Sequence, residues 1–165
     1  MTRLRIKESI SRTVFISCAT YKRKRIFNNH TRASLFIEIL HSCSGNHGAE
    51  IITYCIMPDH YHLIIKFKGV YSLSTFLHSL HSFTANQLHS LRKYPVHGRI
   101  WNRAWDKWIR SESMLWQKIS YVLLNPWRAD LVAEPLSDYR YSDIAKWKRE
   151  KGDDFLRDLF SEATR

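Results

Sequence analysis

The chain has 165 residues, 44% of them hydrophobic, and 26 Lys and Arg against 15 Asp and Glu, for a formal net charge of +11. That length fits a single domain, 1–165, and the hydrophobic content supports a real core and argues against disorder. No run of about 18 apolar residues is present to span a bilayer, and so large a basic excess points to a polyanion, with nucleic acid favoured over an anionic membrane.

Met1–Lys7 is basic, but no apolar signal core follows it. Three cysteines, Cys18, Cys43 and Cys55, are an odd number without metal-like spacing. They read as buried free thiols, which implies a reducing, cytoplasmic setting. Thr13–Tyr21 is β-branched and aromatic and predicts a first strand. Lys22, Arg23, Lys24 and Arg25 follow directly, either as a solvated turn or as a loop that contacts phosphates. Leu35, Phe36, Ile39 and Leu40 predict a helix over about 29–43 with Asn28 or Asn29 as N-cap, and Ser44–Gly48 reads as a loop. Glu50–Met57 predicts a second strand, and Pro58-Asp59 a tight turn into a third.

The third strand alternates. Tyr61, Leu63, Ile65 and Phe67 form a core side, and His60, His62, Ile64, Lys66 and Lys68 the side expected to face solvent. Side chains at i and i+2 stand roughly 6.5–7 Å apart on a strand, so the two imidazoles can tilt onto one cation while Lys66 offers charge to an anion such as phosphate. A plain polar surface also explains such a pair. Ser72–Tyr94 predicts a long amphipathic helix whose His78, His81 and His89 are too scattered to read as ligands. Trp101, Trp105 and Trp108 then interleave with Arg99, Arg103, Lys107 and Arg110. Such a mixture can stack bases and neutralise phosphates. We read the tryptophans mainly as core and the basic residues as nucleic-acid candidates.

Ser111 is a candidate N-cap with Glu112 in the first turn of a helix running to about Leu124. Leu115, Ile119, Val122 and Leu123 form its core stripe. Tyr121 falls outside that stripe, with Asn125 one turn on and Lys118 on the same flank. Pro126 predicts a break or restart at Asn125. Trp127–Val132 continues helically, and Arg128 joins the DNA-binding candidates. Residues 136–165 read as a helical tail with little core.

Two motifs stand in order, about 60 residues apart: Met57-Pro58-Asp59-His60-Tyr61-His62-Leu63-Ile64, and Tyr121-Val122-Leu123-Leu124-Asn125-Pro126-Trp127-Arg128-Ala129-Asp130-Leu131-Val132. Together they resemble the single-tyrosine HUH transposases of IS200-like type, in particular the REP-associated tyrosine transposases, over roughly residues 12–135. Asp59 stands where Asn is usual, Asp130 where Gly is common and Leu123 where His is frequent. The resemblance implies an α+β, ferredoxin-like domain with a central antiparallel sheet and flanking helices. It implies binding of single-stranded or stem-loop DNA with a divalent metal, Mg2+ or Mn2+, by a monomer or homodimer. By position it makes His60 and His62 metal ligands, Asn125 the third ligand, and Tyr121 the nucleophile that holds a 5′ phosphate covalently. A free phenol has a pKa of ~10, so Lys118, the metal or a water would have to assist. Two other readings stay open: a non-catalytic DNA-binding regulator on the same scaffold, and a metal hydrolase in which Tyr121 is structural.

Overall fold

β-Branched and aromatic runs, punctuated by capped helices, build a sheet covered on both faces. The computed structural model describes residues 12–69 and 72–163, so the basic stretch Met1–Lys7 lies outside the described residues. In chain order it comprises β1 (Thr13–Ala19), α1 (His30–Asn46), β2 (Ala49–Met57), β3 (His60–Phe67), α2 (Leu73–Ser90), β4 (Trp105–Trp108), α3 (Glu112–Arg128), α4 (Ile144–Lys151) and α5 (Asp153–Ala163). Asn29, Ser72 and Ser111 cap the three long helices, each accepting from the backbone N–H three residues on, which satisfies one otherwise orphaned donor at each start. The sheet is antiparallel in the order β2-β3-β1-β4. This βαββαβ order with flanking helices is the expected ferredoxin-like α+β arrangement.

Several local expectations are corrected. Ser44–Asn46 belongs to α1, leaving a shorter loop before β2. The aromatic and basic segment 99–110, for which no element was expected, contributes Trp105–Trp108 as β4, and Trp101 bridges to Thr20 just past the end of β1. Pro126 sits inside α3 and does not break it at Asn125. It falls in the last turn, so its missing N–H forfeits only the bond to the Val122 carbonyl and little helix remains to be kinked. The helix ends at Arg128, and Asp130 turns the chain at φ 54°, a left-handed conformation that Asp tolerates better than most residues. Residues 129–132 are therefore a turn, not a continuation of the helix.

β3 is covered on both faces. Tyr61, Leu63 and Ile65 pack with Phe36, Leu40, Phe76 and Leu80 under α1 and α2. Ile64 lies with Phe15, Cys55 and Met57 beneath Ile119, Val122 and Leu123 of α3. The face expected to meet solvent is therefore roofed by a helix. The tail is not poor in core either. Ile144, Trp147, Leu156, Leu159 and Phe160 are buried behind α3, and burial of each such side chain is worth roughly 1.5–3 kcal/mol. That packing clamps α3 onto the sheet. Cys18, Cys43 and Cys55 are buried free thiols as expected, and burial pushes the Cys18 thiol up to about 12, which leaves it unreactive.

Candidate active site

The histidines sit where the β2–β3 hairpin meets the end of β1. Antiparallel register sets Ala19 opposite His60 and Ser17 opposite His62. These small neighbours leave room above the sheet for both imidazoles, whose ring centroids are 4.8 Å apart. α3 crosses over this patch. The Tyr121 ring stands edge-on to His62, 5.1 Å away, and edge-on to Phe15, 5.9 Å away. Tyr121 is 36% exposed, so it spans the gap between the buried His62 and solvent. The Lys118 ammonium lies 5.5 Å from the Tyr121 ring and the Arg128 guanidinium 5.9 Å from it.

His62 is only 4% exposed, and neither ring nitrogen makes a hydrogen bond. Burial first, and then the charges of His60, Lys118 and Arg23, push its pKa down to about 3. An interaction with the Asn125 amide, short of hydrogen-bond geometry, pulls the other way. The ring is therefore neutral at ordinary pH, which is the form that binds metals. Leaving a buried polar atom without a partner costs about 1–3 kcal/mol, so an orphaned imidazole facing a second imidazole and an amide fits a cation site. Asn125 lies one turn beyond Tyr121 and donates from Nδ2 to the Tyr121 carbonyl at 3.3 Å, which leaves its amide oxygen available as a ligand. Among the described residues no group of three His, Cys, Asp or Glu is arranged to hold a metal. What the fold gathers there instead is two imidazoles and an amide.

One contributor escaped the sequence reading, in which Asp59 was only a turn residue. Its Oδ1 lies 2.6 Å from His60 Nδ1, and its Oδ2 lies 3.6 Å from Arg23 Nε. The carboxylate fixes the ring so that Nε2 is the nitrogen offered to a ligand. Its place next to His60 was the available signal. On the reading of His60 as a metal ligand, Asp59→Ala is expected to weaken Mn2+ binding about 10–100-fold, read by titration calorimetry, with Asp59→Asn in between. Unchanged affinity in both variants would show the contact to be incidental.

The structure brings His60, His62, Tyr121, Asn125, Lys118 and Arg128 together. The basic turn joins them at one edge because the end of β1 abuts the start of β3. Thr20 N–H donates to the Asp59 carbonyl at 2.9 Å, and Lys22 and Arg23 occupy left-handed conformations at φ 56° and 54°. Lys22, Lys24 and Arg25 project into solvent there. Arg99 packs its guanidinium 4.8 Å from the Tyr21 ring at the root of this turn. Lys107 flanks the site from β4 and, after burial, is a cause of the lowered pKa of Lys118. Arg103 and Arg110 are exposed on either side of β4. Lys66 is not brought in, since it pairs with Thr13 and Glu50 at the far end of β3. The ammonium beside the histidines is that of Lys118. The tryptophans also divide: Trp101 is core, whereas Trp105 and Trp108 are 53% and 43% exposed.

Residues 10–121 match the family model described as transposase, IS200-like. The chain belongs to the IS200-like transposase family. Solved structures that share its fold include the following two. A REP-associated tyrosine transposase bound to a REP hairpin superposes with a TM-score of 0.71 at 17% identity, covering 84% of this chain and 79% of that one. A protein assigned as a transposase from Deinococcus radiodurans R1 superposes with a TM-score of 0.52 at 22% identity, covering 67% of this chain and 87% of that one. Among curated proteins, no sequence matches this chain. Membership of a transposase family makes DNA the polyanion that the +11 charge anticipates, and among the described residues no helix is long and apolar enough to cross a membrane.

Proposed function

We propose that this IS200-like transposase cuts and rejoins single-stranded or stem-loop DNA through a covalent bond from Tyr121 to the 5′ phosphate at the cut. His60, His62 and Asn125 would hold a divalent cation, Mg2+ or Mn2+. The observation that carries this reading is the Tyr121 ring set 5.1 Å from the orphaned imidazole of His62. When bound, such a cation supplies Lewis-acid polarisation of a phosphate oxygen. Tyr121 supplies the nucleophile. Its hydroxyl gives up a proton to solvent as its oxygen attacks phosphorus, the P–O3′ bond breaks, and the departing 3′ oxygen takes a proton back, so none is gained or lost overall. One phosphodiester replaces another, so a different 3′ hydroxyl can reverse the step without external energy. Lys118 and Arg128 stand beside the Tyr121 ring and would offer charge to the phosphate it attacks. Arg23 and its loop offer charge to the backbone at the hairpin end. The polarity follows the family resemblance, and the related fold solved with a REP hairpin favours a stem-loop as substrate.

The test is a stem-loop oligonucleotide labelled at its 3′ end, incubated with Mg2+ or Mn2+ and run on a denaturing protein gel. A labelled protein band is expected, and none in excess chelator. Cleavage without a band would favour the hydrolase, and binding without cleavage the regulator. Binding should also weaken steeply with salt, each neutralised phosphate on a single strand adding about −0.7 to the slope of log K against log salt. Fluorescence anisotropy at several ionic strengths checks this, and a flat response would count against a phosphate-reading surface.

A further inference from the structure

We propose that Trp105 is a base-stacking platform: its open indole receives a nucleobase of the single strand whose phosphate lies at Tyr121, while Lys107 and Lys118 hold the backbone beside that base. The proposal rests on the DNA-processing reading above and adds a subsite to it. Trp105 lies on edge strand β4 opposite Ser17, which is also the strand partner of His62 and shares its sheet face with Phe15 and with Ala19, the partner of His60. The indole therefore stands on the Tyr121 side of the sheet. Phe15 bridges the two rings, edge-on to Trp105 at 5.8 Å and to Tyr121 at 5.9 Å.

Charge and exposure say what belongs there. The Lys118 ammonium is shared, 6.0 Å from the Trp105 ring and 5.5 Å from the Tyr121 ring. Lys107, opposite Phe15 in the register, projects on the same face. Trp105, 53% exposed and framed by ammonium groups, suits a ligand that is flat, aromatic and anionic. A nucleotide is all three, and stacking on an aromatic ring tolerates any base. A second copy of a +11 chain would set like charges against Lys107 and Lys118, so a protein partner is disfavoured. Trp108 provides an internal control. It is also exposed, but it pairs with Val14 on the opposite sheet face.

The experiment measures binding of a fluorescent stem-loop with a mixed-sequence single-stranded tail, in which tail nucleosides are replaced one at a time by abasic sites. Trp105→Ala should weaken binding roughly 5- to 150-fold, the range typical of one stacked base. Trp105→Tyr should recover most of the loss, and Trp108→Ala should bind as wild type. One abasic position should weaken the wild type by a similar factor and have no further effect on Trp105→Ala. If Trp105→Ala does not fold, Trp105→Gln takes its place in the same cycle. Wild-type affinity in the variant, or abasic effects that simply add to it, would overturn the platform while leaving the DNA reading intact. A wild-type protein that binds no stem-loop at low salt would overturn both. A change in oligomeric state on substituting Trp105, seen by sedimentation, would assign the indole to a contact between copies instead.

Discussion

Tyr121→Phe should abolish formation of the labelled protein–DNA band and slow cleavage by a factor on the order of 10^4–10^6, the scale seen when a nucleophile is deleted. The change removes one oxygen and keeps the ring. The ring makes the packing contacts, edge-on to His62 at 5.1 Å and to Phe15 at 5.9 Å, with Lys118 and Arg128 beside it. Stability should shift by no more than about 0.5 kcal/mol, and stem-loop and Mn2+ binding should persist. A 3′-labelled strand should mark the wild type and leave the Phe variant unmarked. If the label follows a 5′-labelled strand instead, the polarity is reversed. If the Phe variant still cuts, water is the nucleophile and Tyr121 is a structural ring.

Replacing His62 by leucine should separate stability from function. Both His62 nitrogens are buried without a hydrogen bond, so a leucine of similar bulk relieves an unsatisfied polar group. Tm should be unchanged or rise, with about 1 kcal/mol corresponding to about 2–4 °C for a chain of this size. Cleavage should fall by about two to three powers of ten, because the charge stabilisation expected from a bound cation is several kcal/mol. The decisive reading is the thermal shift on adding Mn2+. Saturation at a hundred times Kd stabilises a native state by about 2.7 kcal/mol. The wild type should show that shift and His62→Leu should not. A metal-free Tm that falls by several degrees, or an undiminished Mn2+ shift, would mean that His62 is a packing residue. Asn125→Ala should act in the same direction but more mildly, since two imidazoles remain.

Much of the architecture was legible in the chain because the signals are local. The period-2 alternation of Tyr61, Leu63, Ile65 and Phe67 made β3 readable. Pro58-Asp59 marked the hairpin, and Ser111 marked the start of α3. Tyr121 could be separated from the core stripe of its helix because helical geometry ties each residue to its neighbours three and four away. Together the two motifs were enough to point to the family that the match over residues 10–121 shows.

Tertiary structure decided what lies on top of what. Alternation tells that His62 and Ile64 share a face, but only the seating of α3, clamped from behind by Trp147, Leu156 and Phe160, shows that this face is buried and that Tyr121 stands over His62. The same long-range packing separates three tryptophans that look alike in the chain, placing Trp101 inside and Trp105 and Trp108 outside. It ties Arg23 through Asp59 to His60 and leaves Lys66 at the remote end of its strand. Periodicity records which residues point the same way within one element. Burial and charge contact are set by elements distant in sequence, and their free energies exist only once those elements have packed.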